Sequence, residues 1–185
     1  YKNIKNAILF LLSGNMAGIL AVLYTSLAAL PVPFQPVHLL FINLLTDSLP
    51  ALAIGMEPAE RDVLSEKPRN PKGGILDRRF MALLLGQGAL IAVCTMISFE
   101  VGLKESAALA STMAFATLTL ARLFHGFNCR SRHSIVKIGF RRNWYSLGAF
   151  ALGVLLLALV LFVPALETLF EVEAMNGIQL GCVGV

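Results

Sequence analysis

Charged side chains are scarce. They make up 14% of the 185 residues, against about 25% in an ordinary soluble domain, too few to cover a globular surface. The shortage does not mean disorder, because 57% of the residues are hydrophobic and disordered chains are poor in these. Cysteine is also sparse. Cys94, Cys129 and Cys182 are odd in number, scattered and without a CxxC spacing, which excludes a disulfide framework and reads as free thiols. His38, His125 and His133 do not converge with them in any metal-ligand spacing. With Gly at 15 and Pro at 8, a collagen-like chain is excluded. No glycine-rich phosphate loop, serine-nucleophile motif or catalytic carboxylate pair occurs. The chain therefore holds nothing that could bind ATP or carry out covalent chemistry, and it has no internal repeat or low-complexity tract.

What it does have is long apolar runs. About 20 apolar residues in a helix span the roughly 30 Å of bilayer hydrocarbon. Residues 7–30, 34–56, 80–103, 107–127 and 144–166 qualify, and a sixth run, 178–185, is too short to cross. Backbone polar groups in lipid must be satisfied within the segment, so such runs mean helices. A transmembrane barrel needs alternating segments of roughly 10 residues, and these runs do not alternate. The expected fold is all-α: a polytopic transmembrane helical bundle with five full spans plus the start of a sixth. The chain opens at Tyr1 without a methionine and is read as a fragment cut at both ends. The first run is too long for a signal peptide and lacks a cleavage-type ending.

Cations set the orientation. Lys2 and Lys5 precede the first span. Arg61, Lys67, Arg69, Lys72, Arg78 and Arg79 fall in the connection 57–79, and Arg130, Arg132, Lys137, Arg141 and Arg142 in the connection 128–143. The alternate connections hold only Lys104, and Glu167, Glu171 and Glu173 follow the fifth span. Connections 57–79 and 128–143 are therefore assigned to the cytoplasm, together with the N-terminus. Their cations read as topogenic and lipid head-group contacts, not as a nucleic-acid surface. Trp144 and Tyr145, beside Arg141 and Arg142, fit an interfacial anchor. The segment 57–79, broken by prolines and Gly73–Gly74, reads as an ordered loop or docking surface.

Two ionisable residues remain deep in the apolar runs, Asp47 and Arg122. Either at mid-bilayer costs about 2.5–3.5 kcal/mol on insertion scales, so such residues face a bundle interior or a cavity and mark ion pathways. Arg122 lies close enough to the end of its run that snorkelling to the interface competes with an inward role. The stretch Phe41-Ile-Asn-Leu-Leu-Thr-Asp-Ser-Leu-Pro50 sharpens the case for Asp47. Offsets of three and four stack Asn43, Thr46 and Asp47 on one helical face. Pro50 lacks the N–H that would bond the Thr46 carbonyl, so a kink or unwound turn is expected there. Irregular backbone at membrane depth is tolerated where it lines a cavity. A carboxylate, a carboxamide oxygen, a hydroxyl and a loosened carbonyl form a hard-oxygen set suited to Ca²⁺ or Mn²⁺, less so to Mg²⁺, and not to Zn²⁺ or Cu⁺. In the first span, Ser13-Gly-Asn-Met-Ala-Gly18 offers Asn15 as a further ligand, with Gly14 and Gly18 permitting close helix approach. These groups fall short of the 6–8 oxygens that Ca²⁺ takes, so a helix outside this chain is expected to complete the site.

The same residues carry a family resemblance. Asn43-Leu-Leu-Thr46-Asp47-Ser-Leu-Pro50-Ala51 resembles the sixth transmembrane helix of P-type calcium-transporting ATPases of the sarco/endoplasmic reticulum type. Lys67-Pro-Arg-Asn-Pro-Lys72 is similar to the inner loop that follows it. Tyr1-Lys-Asn-Ile-Lys-Asn and Ser13-Gly-Asn15 resemble the fifth helix, and Thr112-Met-Ala-Phe through Phe127-Asn128 the eighth. The resemblance runs from the fifth helix to a truncated tenth. It implies the membrane portion of a pump that couples ATP hydrolysis, with Mg²⁺, to cation movement through a phosphorylated aspartate. The implied partners are the ATP-binding, phosphorylation and actuator domains and the first four helices of the same polypeptide, with the lipid bilayer around them. The expected location is the cell (plasma) membrane. By position, Asn43 and Asp47 match ligands of an ion site shared with a fourth-helix glutamate. Asn15 and Thr46 match ligands of a second site, to which Asp47 also contributes.

Two departures from the family pattern bear on ion number. The family's fifth-helix glutamate falls at Gly18 here, and its eighth-helix glutamate at Arg122. Losing two carboxylates and gaining a guanidinium disfavours a second Ca²⁺ through like-charge repulsion. One ion per cycle is therefore expected, with Arg122 as a charge-compensating partner of Asp47. Arginine keeps its proton, so counter-transported protons would ride on carboxylates: Asp47, the weaker candidate beside a fixed cation, and the absent fourth-helix glutamate. Three readings compete with the calcium pump: an ATP-independent cation/proton antiporter, a Mn²⁺-transporting P-type ATPase, and a bundle inactive as an isolated fragment.

Overall fold

The computed structural model describes residues 1–58, 76–130 and 143–184. Among these the chain is helical throughout, with no strand. Helix α1 is Lys2–Leu27. The second membrane-length segment is composite: α2, Pro36–Phe41, runs through a π-turn, Ile42–Thr46, into α3, Ser48–Gly55. Then come α4 (Arg78–Leu103), α5 (Ala107–Asn128) and α6 (Trp144–Phe162), followed by the short helices α7 (Pro164–Phe170) and α8 (Gly177–Val183). Among the described residues five segments are long and apolar enough to cross a membrane.

The helix ends follow local chemistry. Asp77 caps α4 by accepting from the Phe80 amide at 2.7 Å, and Ser106 and Asn143 cap α5 and α6 in the same way; each satisfies an otherwise orphaned first-turn N–H. Lys2 and Lys5, expected ahead of the first span, lie on α1, where Lys5 pairs with Asp77 at 2.6 Å. The helix simply extends past its apolar stretch. The expected fifth span, 144–166, is cut short at Phe162. Val163 is extended (φ −101°, ψ 113°) and Pro164 begins α7, because the proline ring disfavours helical geometry at the preceding residue. Of the connection 57–79, residues 59–75 lie outside the described residues, and so does the Lys67–Lys72 motif. The same holds for residues 131–142 of the connection 128–143, and for His133.

Helix α5 is the hub. Ala110, Met113, Ala114, Phe115, Ala116 and Leu118 are fully buried, and its apolar stretch is far more enclosed than that of any other span. Close packing on α4 depends on Gly102, where a Cβ would come within 2.7 Å of the Ala110 Cα. Small residues of this kind let helix backbones approach where lipid supplies no hydrophobic drive. At one end of the bundle, the start of α1 meets the start of α4 through Lys5 and Asp77. At the other end, Tyr24 donates to Glu100 at 2.8 Å, Gln179 to Glu105 at 2.8 Å, and Ser106 to Glu173 at 2.7 Å. His38 lies in this outer group, stacked on Phe115 with 4.4 Å between centroids and in contact with the Phe170 carbonyl at 2.7 Å. It fastens the end segments together.

Candidate functional site

The site forms where α1, the π-turn and α5 meet. Within the π-turn the Asp47 amide donates to the Ile42 carbonyl, five residues back, at 2.9 Å. Such turns inside helices recur at functional sites, and Pro50, three residues on, cannot supply the N–H that a regular turn would use. The wider turn changes the phase of the helix. Asn43, Thr46 and Asp47 therefore do not share one face as regular spacing predicts. Thr46 and Asp47 are buried, while Asn43 is exposed. Ser48, not Asp47, reaches back over Asn43, donating to its carbonyl at 3.3 Å.

Asp47 and Arg122 form a buried ion pair, with side chains 3% and 4% exposed. Nη2 of Arg122 donates to Asp47 Oδ2 and, at 3.1 Å, to Asn15 Oδ1. One guanidinium thus draws together α1, the π-turn and α5. Arg122 does not snorkel; it points inward. Two atoms of the pair, Asp47 Oδ1 and Arg122 Nε, are buried without a hydrogen-bond partner. An unpaired buried polar atom is costly, so the arrangement leaves the carboxylate with unused acceptor capacity. Thr46 does not join the cluster, since its hydroxyl donates to the Ile42 carbonyl at 3.0 Å. Asn15, Gly18, Asn43, Leu118 and Arg122 line one open groove of about 630 Å³. The structure therefore unites Asn15, Asp47 and Arg122, sets Asn43 on the adjoining groove wall, and turns Thr46 to its own backbone.

Gly14 has a role that its sequence position only hints at. A Cβ there would lie 2.5–2.7 Å from the Arg122 guanidinium, so the missing side chain is the seat for Arg122. Among the described residues nothing lies within 4 Å of a Cβ on Gly18; contrary to expectation it serves no close approach among them and opens onto the groove. Replacing Gly14 with Ala is expected to push Arg122 off Asp47 and lower the stability of the fold, because a buried pair is broken, whereas Gly18→Ala leaves the pair in place. Thermal unfolding of both variants checks this.

Sequence reasoning also missed the link between Ser13 Oγ and His125 Nε2 at 2.7 Å, with Cys129 Sγ 3.3 Å from the same nitrogen. The offset of three from Arg122 to His125 was the available signal, since it places both on one helical face. Cys94, Cys129 and Cys182 are free thiols. No group of three or more His, Cys, Asp or Glu side chains that could hold a metal ion occurs among the described residues; the oxygens gathered on Arg122 are one carboxylate and one carboxamide. That fits partial coordination of Ca²⁺ and leaves ligands to be supplied from elsewhere.

An all-helical bundle of membrane-length segments, with a charged pair buried at a broken helix, defines the class: a polytopic membrane protein. The family described as "Cation transporting ATPase, C-terminus" matches residues 31–185, and the chain belongs to that family. Similar proteins include a calcium-transporting ATPase of Bacillus subtilis (strain 168), 40% identical over 179 residues, which span 95% of this chain and 20% of that protein. "Calcium-transporting ATPase 1" of Lactococcus lactis is 40% identical over 178 residues, 96% of this chain and 20% of that protein. "Calcium-transporting ATPase type 2C member 2" of Rattus norvegicus is 32% identical over 187 residues, 97% and 20% respectively. The chain spans about a fifth of the length of these curated relatives.

Proposed function

We propose that this chain is the ion-pathway portion of an ATP-driven calcium pump and that it supplies part of one intramembrane Ca²⁺ site. The observation that carries the reading is the inward-facing Asp47 carboxylate, held by Arg122 yet with Oδ1 unpaired, at a π-turn beside an open groove. Asp47, Asn43 and Asn15 are the proposed ligands. Thr46 contributes if its hydroxyl gives up Ile42, and Arg122 is the charge-compensating group. The upstream domains of the same polypeptide would supply ATP binding and phosphorylation, and one of its first four helices would lie along the groove and complete the coordination. The ligand pattern resembles that of the sarco/endoplasmic reticulum type, whereas the similar proteins named above are bacterial and type 2C pumps. Membership of an ATPase family favours this reading over a proton-driven antiporter.

The mechanism follows from competition for one carboxylate. A divalent cation arriving at Asp47 displaces the Arg122 guanidinium, and a buried acid without either partner is strongly disfavoured. Arg122 therefore keeps the site neutral between cations, and its fixed charge opposes a second one nearby. We propose one Ca²⁺ per cycle, with carboxylates carrying counter-transported protons, in the cell membrane and with the N-terminus of this chain inside. ATP-driven ⁴⁵Ca²⁺ uptake by the full-length protein in vesicles tests the function, with Mn²⁺ as competitor to define the ion. Counting Ca²⁺ bound per phosphorylated enzyme is expected to give one, and a value of two would refute the single-site reading. Arg122→Glu is expected to change that number or the pH dependence of transport.

A further inference from the structure

A second buried charged cluster lies at the end of α3, where the connections rich in Lys and Arg begin. Glu57, just past α3, is 7% exposed, Arg130 4% and Asn143 2%. Arg130 grips the Glu57 carboxylate with both arms of its fork, Nε to Oε2 at 2.8 Å and Nη2 to Oε1 at 3.1 Å. Asn143 Nδ2 donates to the same Oε2 at 2.8 Å and to the Ala53 carbonyl at 2.8 Å. The backbone of this turn is held from α1, where Asn3 Nδ2 donates to the Gly55 carbonyl at 3.1 Å and to the Glu57 carbonyl at 2.7 Å. Asn6, one turn further along α1, donates to the Arg130 carbonyl at 3.2 Å. Four elements, the start of α1, the end of α3, the residues after α5 and the cap of α6, therefore converge on one turn, Arg130 and Asn143 on its carboxylate and Asn3 on its backbone.

A cluster like this is a poor way to gain stability. Burying two charges costs several kcal/mol per ion, and well-packed apolar residues often hold a fold as well or better. What a forked, fully hydrogen-bonded pair does supply is a defined position. The position it defines here is the far end of a short rod. Glu57 is ten residues from Asp47 along the chain, roughly 15 Å of helix at about 1.5 Å per residue, with the π-turn as the compliant joint at the other end. A rod pinned at one end and hinged at the other turns a shift of the pinned end into a shift of Asp47.

Building on the calcium-site reading, we infer that Glu57, Arg130 and Asn143 are positioning residues for the cation site: a clamp that ties the end of α3 to the residues after α5 and to the cap of α6, and so sets where Asp47 stands relative to Arg122 and Asn15. The test uses the full-length protein and measures the Ca²⁺ concentration for half-maximal phosphorylation by ATP, alongside thermal unfolding. Glu57→Gln and Arg130→Lys are expected to raise that concentration roughly tenfold, within the range known for residues coupled to a site at a distance. The decisive variant is the double replacement Glu57→Met with Arg130→Met. It is expected to keep the wild-type unfolding midpoint while showing the same shift in Ca²⁺ dependence. A double variant of unchanged stability and unchanged Ca²⁺ dependence would overturn the clamp and leave a purely structural pair. Asp47→Asn is run in parallel. If it abolishes Ca²⁺ activation while the clamp variants have no effect, the clamp alone fails. If Asp47→Asn leaves Ca²⁺ activation intact, the cation-site reading fails and takes the clamp with it.

Discussion

Full-length protein carrying Asp47→Asn is expected to lose Ca²⁺-activated phosphorylation and ⁴⁵Ca²⁺ uptake, with a lower unfolding midpoint because Arg122 loses its buried partner. The replacement keeps the shape and one acceptor oxygen and removes only the charge. A unit charge about 4 Å from another is worth on the order of 4 kcal/mol at an effective dielectric constant of about 20, and a divalent ion doubles that sensitivity. Affinity should therefore fall by more than about a hundredfold, given that 1.4 kcal/mol is tenfold. The neighbours cannot compensate, because the groove beside the site is lined by Asn15, Asn43 and Arg122 and by no Asp or Glu among the described residues. Asn43→Ala removes a neutral oxygen from the groove wall and is expected to have a much smaller effect. Ca²⁺ titrations of both variants, with elution profile and unfolding midpoint as fold controls, separate loss of charge from loss of structure. Retained uptake in Asp47→Asn would refute the assignment.

The second large effect is on stability. Arg122→Met leaves the Asp47 carboxylate buried without its cation, and breaking a buried pair from one side costs about 3–5 kcal/mol. The same variant removes the competitor for that carboxylate. Ca²⁺ is therefore expected to raise its unfolding midpoint more than it raises that of the wild type, since a ligand that binds only the folded state stabilises it. Adding Asp47→Asn to Arg122→Met removes both charges, so most of the lost stability should return while the Ca²⁺ response disappears. Thermal unfolding of the two variants with and without Ca²⁺ checks each step. Equal midpoints for the single and double variants would show that the pair is not energetically coupled.

Most of the architecture is legible in the chain because lipid imposes a simple rule. A segment without water must close its own backbone hydrogen bonds, so apolar length is enough to mark a helix. The boundaries were less legible. Val163 and Pro164 end a helix inside an unbroken apolar run, since a local steric clash overrides composition. Asp47 and Arg122 stood out as charges where charge is expensive. The expected common face of Asn43, Thr46 and Asp47 did not hold, because helical offsets assume a regular turn and the π-turn changes the phase. Gly14 was visible only as a small residue on α1, and Glu57 only as one more loop acid.

By itself, the amino-acid order determined that this is a membrane-spanning helical chain with one acid and one arginine placed within apolar runs, where charge is costly. Those properties depend on residue type and on position along a single segment. Only the tertiary structure decided which groups meet: that Arg122 turns inward over Gly14 to bridge Asn15 and Asp47, and that Arg130 and Asn143 fasten the residues after α5 and the cap of α6 to the Glu57 carboxylate at the end of α3. Contacts between residues 73 to 107 positions apart are set by how helices pack and rotate against one another, and no local spacing encodes that.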